Sequence, residues 1–212
     1  MPAASSPFQV SREQRRDMLT RHFVGAVEEL LEEHDESGRA RTYGELSVER
    51  IITAGAISRS TFYSYFDDKN DLLEAMATDV IAELVGTGAS WWQLEPGATK
   101  EQLHDGLRPP LDTYRAHRAI LGSVVEVATY DARIRAQQRW LVDNVVDSLT
   151  THLRRWQDAG AVDPARDAAR TAQWIIWMLE RGLYQLVGPA DGPEVDRQLA
   201  ALTDVVWAAL YA

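Results

Sequence analysis

Residues 47–73 read SVERIITAGAISRSTFYSYFDDKNDLL, and this stretch decides how the chain folds and what it can touch. Ser47 is an N-cap residue type whose hydroxyl can accept a bond from an unpaired backbone N–H. Val48, Ile51 and Ile52 follow at i, i+3 and i+4, which gives a short helix one apolar face. Gly55-Ala56 interrupts the pattern, and Ser58 is a second N-cap candidate. In the helix that Ser58 opens, Ile57, Phe62 and Phe66 can face inward, leaving Arg59, Ser60, Thr61, Tyr63 and Ser64 outside. Residues 57–66 hold one arginine and no acid, in a chain otherwise rich in carboxylates. A surface helix of hydroxyls, aromatics and one guanidinium suits phosphates and base edges. Asp67 or Asp68 caps a third helix. Lys69 in its first turn sets a cation where helix stability favours an acid, so it reads as a phosphate contact. Helix–turn–helix spacing also occurs in helical proteins that never meet DNA, so the pattern alone leaves both readings open.

The run Ile57-Ser58-Arg59-Ser60-Thr61-Phe62-Tyr63-Ser64-Tyr65-Phe66, followed by Lys69 and Leu72-Leu73, resembles the recognition helix and fourth-helix start of the TetR (tetracycline repressor) family of bacterial regulators. A weaker likeness links residues 178–184 and 206–211 to the subgroup of the mycobacterial repressor of an ethionamide-activating monooxygenase. The resemblance implies an all-α chain of about nine helices with a DNA-binding head and a larger ligand-binding and dimerisation body. One departure stands out. The family usually has Ala-Gly before Ile-Ser, whereas this chain has Gly55-Ala56. Either Ala56 takes the left-handed backbone, at roughly 1 kcal/mol or more, or Gly55 takes the turn and the helix ends one residue early. Ile52 also replaces a small residue, which sets the second helix slightly further from the first.

The chain has 212 residues, of which 45% are apolar, enough for a small head and a substantial body. It has no cysteine, which excludes disulfides and thiolate chemistry and fits a reducing cytoplasm. Residues 1–10 are polar and read as a disordered tail, with no secretory signal, and no apolar run is long enough to span a membrane. Net charge is −10, and residues 1–85 hold nine basic and sixteen acidic groups. That balance predicts weak non-specific DNA binding and reliance on a defined operator. Arg12, Arg15, Arg16 and Arg21 crowd the start of the first helix, and acids crowd its far end. Arg15 and Arg16 are therefore candidates for an arm that reaches phosphate or the minor groove.

Periodicity predicts helices over about 11–34, 69–85, 99–108, 119–128, 132–158, 163–187 and 193–211, besides the two short ones. Gly86 and Gly88 are expected to loosen the chain, and Pro109-Pro110 to break or kink a helix opened by the Thr99-x-x-Gln102 capping box. Asp163-Pro164 reads as an N-cap with proline at N1. The domains expected are a head over 11–68 and a body over 69–212, with the helix from Lys69 as connector.

The last two helices are apolar on more than one face, which calls for burial on several sides. The resemblance implies a homodimer through them, two-fold symmetric like a palindromic double-stranded operator. It also implies a tunnel for a small apolar or amphipathic ligand. The chain has seven tryptophans, and Trp92, Tyr114, Trp140, Trp177 and Met178 are the wall residues expected, with Glu126 and Glu180 orienting a polar group. The DNA set expected is Arg15, Arg16, Ser47, Ser58, Arg59, Ser60, Thr61, Tyr63, Tyr65 and Lys69. Two rival readings are an enzyme and a helical adaptor that binds protein. Against an enzyme, His22, His34, His104, His117 and His152 show no metal-ligand spacing, and no nucleophile elbow or phosphate loop is present. No metal or cofactor is expected.

Overall fold

The computed structural model describes residues 11–34 and 38–211, so the expected tail over residues 1–10 lies outside the described residues. Among these the chain is all-α, with nine α-helices and no strand beyond an isolated bridge between His34 and Ala40. It divides into two compact units, the first ending at Asp79 and the second beginning at Val80.

In the first unit, α1 (Arg12–Glu32) opens on a capping box in which Ser11 and Gln14 exchange side-chain and backbone bonds. Its buried stripe is Phe23, Val27, Leu30 and Leu31. A 3-10 turn (Tyr43–Glu45) leads to α2 (Val48–Ala54), capped by Ser47, and then to α3 (Arg59–Tyr65), capped by Ser58. The core is aromatic. Phe23 meets Phe62 and Phe66 edge-on, with centroids 6.2 and 6.1 Å away, and Tyr43, Ile51, Leu72 and Leu73 close around them.

The turn between α2 and α3 resolves the Gly-Ala question. Ala56 takes the left-handed conformation at φ 50°, while Gly55 stays right-handed at φ −76°. Gly55 is needed for another reason: a Cβ there would sit 2.3 Å from Phe23 Cε1. The glycine lets α2 close on α1, and the strain moves to its neighbour.

α4 (Lys69–Trp92) starts in the first unit and ends in the second. It runs through Gly86 and Gly88, where loosening is expected from sequence. The reason is packing: a Cβ on Gly88 would lie 2.4 Å from the ring of Trp92, one turn on. α5 (Lys100–Ala116) likewise continues through Pro109 and Pro110, with Thr99 and Gln102 forming the capping box. A proline at 110 cannot donate to the Gly106 carbonyl. The Ser90 hydroxyl of α4 lies 2.6 Å from that oxygen and 2.6 Å from Thr87 O, and its single proton can serve the Gly106 carbonyl instead. Gly106 permits this approach, since a Cβ would lie 3.0 Å from Ser90 O and from Trp91.

α6 (Arg118–Ala128) and α7 (Ala132–Asp158) follow, α7 capped by the Asp131 carboxylate. α8 (Ala168–Gly182) begins at Asp167, not at Asp163-Pro164. The Asp163 carboxylate bonds to Ala165 N at 2.8 Å and closes a separate turn, so a second cap is required. After α8 the chain widens into a π-helical turn (Leu183–Val187) closed by Gly188 N to Leu183 O, and α9 (Gly192–Leu210) ends the fold. The core of this unit joins Leu103, Leu107 and Leu111 to Leu149, Leu153, Ile176, Leu199 and Val206. Tyr211 is tied back by its hydroxyl, 2.9 Å from His152 Nε2, and by stacking on Trp156.

Candidate nucleic-acid interface and ligand cavity

α3 turns a short polar face outward. The Ser58 hydroxyl accepts from Thr61 N at 3.0 Å and lies 2.8 Å from the hydroxyls of both Ser60 and Thr61. This cluster satisfies the start of the helix and fixes three small hydrogen-bonding groups where a docked recognition helix meets base edges. Arg59, Ser60, Tyr63 and Ser64 are exposed, while Thr61 and Tyr65 are half-buried. Arg59 stacks over the Tyr63 ring at 5.5 Å and pairs with Glu49 of α2 at 2.5 Å. Both partners of that ion pair are more than half exposed, and exposed pairs contribute little. The guanidinium can therefore exchange Glu49 for a phosphate or a guanine edge at small cost. Ser47 is exposed at the N-cap of α2, and its hydroxyl accepts from Arg50 N.

Two candidates have other work. The Lys69 ammonium, expected on phosphate, donates instead to the carbonyls of Tyr43, Gly44 and Leu46 at 3.1, 2.8 and 2.8 Å. The Tyr43 hydroxyl in turn donates to Lys69 O. Lys69 thus staples the 3-10 turn to the start of α4. Its long stem lets the ammonium point away from its own helix terminus, which sequence position cannot reveal. Arg16, expected in an arm, pairs with Asp71 at 2.8 Å, donates to Tyr65 O at 3.2 Å and lies over Phe66. Arg12 donates to Ser64 O at 2.8 Å. The two arginines satisfy carbonyls at the C-terminal end of α3, where cations are favourable, and so hold α3 against α1. Arg15 is exposed. Elsewhere in this unit Glu33 pairs with Arg41 and Arg50, and Glu45 with Arg39.

The second unit holds an apolar cavity of about 150 Å³. Its walls are Ile81, Leu84 and Gly88 of α4, Leu107, Leu111 and Tyr114 of α5, and apolar side chains of α6, α7 and α8, with Trp91 and Trp92 at one end. The polar groups are few. Glu180 Oε1 accepts from Gln138 Nε2 at 2.9 Å. The Tyr114 hydroxyl has its pKa raised by burial and, second, by the nearby Glu180 charge, so it stays protonated at neutral pH. Among the described residues no cluster of His, Asp and Glu can hold a metal, and no helix is long and apolar enough to cross a membrane.

Residues 39–76 match the family profile described as bacterial regulatory proteins, tetR family. The head carries the tetR-family pattern. The fold of the whole chain agrees with solved TetR-type structures. A TetR transcription regulator from Haloarcula marismortui superposes with a TM-score of 0.69 at 20% identity, covering 91% of this chain and 98% of that one. A TetR-family regulator from Pectobacterium atrosepticum gives 0.68 at 20% identity, covering 94% and 95%. GusR from Salmonella enterica gives 0.67 at 16% identity, covering 95% and 98%. No curated protein matches the chain by sequence. These matches bear on the TetR-type head and fold, and lend no support to the finer subgroup likeness.

Within the TetR-type body, Trp92, Tyr114 and Glu180 line the cavity, and four other expected wall residues do not. Trp140 and Trp177 lie on the outer surface, at 62% and 36% exposure. Glu126 is half-buried on α6, close enough to Tyr130 to raise its hydroxyl pKa, after burial itself. Met178 lines a separate apolar groove with Gly182, Leu186, Ala201 and Val205 on α8, the π turn and α9. Leu179 and Leu183 belong to both the groove and the cavity. Most of the wall is aliphatic. A helix apolar on several sides gives no periodic signal of which side meets the void, so sequence pattern does not distinguish these residues from ordinary core.

Proposed function

We propose that the protein is a ligand-responsive transcriptional regulator of the cytoplasm, a homodimer that represses by binding a palindromic double-stranded operator and is released by a small, largely apolar ligand. The observation that carries this reading is the outer face of α3. From Ser58 to Ser64 it offers hydroxyls, Tyr63 and Arg59 and no acid, backed by the Phe23–Phe62–Phe66 cluster. Arg59, Ser60 and Thr61 read base edges or adjacent phosphates, and Ser47, Tyr63, Tyr65 and Arg15 position the backbone. Lys69 and Arg16 support this surface from behind.

Dimerisation through α8 and α9 is supported by an apolar surface that a monomer has no reason to expose. Trp174 is 79% exposed, and Met178, Leu186 and Val205 continue the patch. Two-fold symmetry would set two recognition helices one DNA turn apart, roughly 34–36 Å or a multiple of that. α4 links ligand to DNA: its first turn is stapled by Lys69 and Asp71, and its later turns wall the cavity. Ligand shifts the population toward states with unsuitable half-site spacing, by no more than its difference in affinity between states.

Footprinting on DNA upstream of the protein's own gene tests the proposal. The expected result is a protected palindrome that Arg59→Ala weakens. Failure to protect any duplex, with the protein folded and dimeric, would leave the adaptor reading in its place.

A further inference from the structure

We infer that the cavity selects a small apolar amine: a ring-sized hydrophobic body bearing one cationic N–H group, received by the free oxygen of Glu180. The inference rests on the reading of the cavity as a ligand site and adds the charge of the ligand.

Glu180 of α8 is one of the lining residues of a cavity whose other polar side chains are Gln138 and Tyr114. Oε1 is taken by the Gln138 amide at 2.9 Å. Oε2 is buried and has no hydrogen-bond partner. Arg181 Nε forms a long ion pair with it at 4.0 Å, without a hydrogen bond, and that guanidinium is exposed and lies over the Tyr184 ring, so the site keeps room for a hydrogen-bonding cation. A buried carboxylate oxygen without a donor is costly, and a charged donor recovers more than a neutral one.

Charge narrows the choice further. Among the described residues that line the cavity, Glu180 carries the one formal charge, and no arginine, lysine or histidine joins it. A carboxylate, phosphate or sulfate ligand would enter beside Glu180 with no lining cation to balance it. An ammonium would be balanced, and the aromatic side chains of Trp91, Trp92 and Tyr114 among the lining residues favour a cation over an anion. The volume sets the body. A void of about 150 Å³ matches cavities that accept a single benzene ring. The void thus holds one ring with a short basic arm.

A shape-matched series tests this on the full-length protein by titration calorimetry at neutral pH: 2-phenylethylamine, 2-phenylethanol and phenylacetate. The expected order is amine over alcohol by about tenfold or more, with phenylacetate weakest, the span of one charge-assisted hydrogen bond. Glu180→Gln keeps the side-chain shape and should cost the amine about tenfold or more, leaving the alcohol within about threefold. Circular dichroism checks that the variant is folded. If it is not, the order of the three compounds on the native protein decides. Phenylacetate binding as well as or better than the amine overturns the inference, as does an amine preference that survives Glu180→Gln. Those two results leave the cavity a ligand site of different chemistry. No binding by any of the three at millimolar concentration overturns the ligand-site reading itself, and the inference with it.

Discussion

Exchanging residues 55 and 56 separates two effects that meet in the α2–α3 turn. Ala56 sits at φ 50°, a conformation that costs a residue with a Cβ roughly 1–2 kcal/mol. Replacing it with glycine removes that strain but frees the unfolded chain, which returns about 0.4–1 kcal/mol. Ala56→Gly should therefore stabilise the head by ~0.5–1 kcal/mol. Gly55→Ala should do the reverse. The new Cβ would lie 2.3 Å from Phe23 Cε1 and 2.9 Å from Cζ. Phe23 is fully buried between Phe62 and Phe66 and cannot swing aside. Overpacking of this kind costs about 1–3 kcal/mol. The double exchange restores the order Ala-Gly usual in the family and should still lose stability, because the clash outweighs the relieved strain. The residues are adjacent, so the double variant need not equal the sum of the singles. The assay is urea denaturation followed by hydrogen exchange at head amides. All seven tryptophans lie at residue 91 or beyond, so their fluorescence reports the second unit as an internal control. A neutral Gly55→Ala, or an Ala56→Gly that destabilises the head, would refute this account of the turn.

Four further outcomes are expected. Lys69→Met should destabilise the head by ~2 kcal/mol through the loss of its charged bonds to three carbonyls, with the salt slope of DNA binding unchanged. A slope lower by about one unit would return Lys69 to phosphate. Arg59→Ala should cost about 1–3 kcal/mol of operator affinity and relax preference at one base pair, measured by gel shift at fixed salt. Ser90→Ala leaves the Gly106 carbonyl without the donor that Pro110 cannot supply and should cost about 1–3 kcal/mol by thermal denaturation. An unchanged melting temperature would show that the prolines need no such support. Burial of His152 lowers its pKa from 6.5 to about 4, so the unfolded chain binds the extra proton first on acidification. Its contribution is intact above about pH 6.5 and is lost as pH falls toward 4, on the order of 3 kcal/mol. His152→Phe should flatten that limb of the stability–pH curve, and an unaltered limb would contradict the assignment.

Helix starts were the most legible part of the chain because a cap is a local event. Ser47, Ser58 and the Thr99-Gln102 pair bond to amides within three residues, as their types and spacing imply. Helix interruptions were misread where a residue's local tendency yields to a distant partner. Gly88 admits the Trp92 ring instead of loosening α4, and Pro110 is tolerated in α5 because Ser90 stands opposite Gly106. The same limit applies to the candidate site. The hydroxyls of α3 were visible as a pattern, whereas the task of Lys69 depends on the direction of a four-carbon stem. The cavity was expected to be aromatic and is mainly aliphatic, since which side of Leu107 or Leu111 borders empty space is a property of the packed unit.

Leu179 and Leu183 face the cavity on one side and the apolar groove of α8 and α9 on the other. At these two residues a single layer of side chains therefore divides the cavity from that outer surface. An occupant that displaces either leucine reshapes the groove at the same moment, without any relay through the backbone. Binding in the cavity and binding in the groove would then be linked through these two side chains.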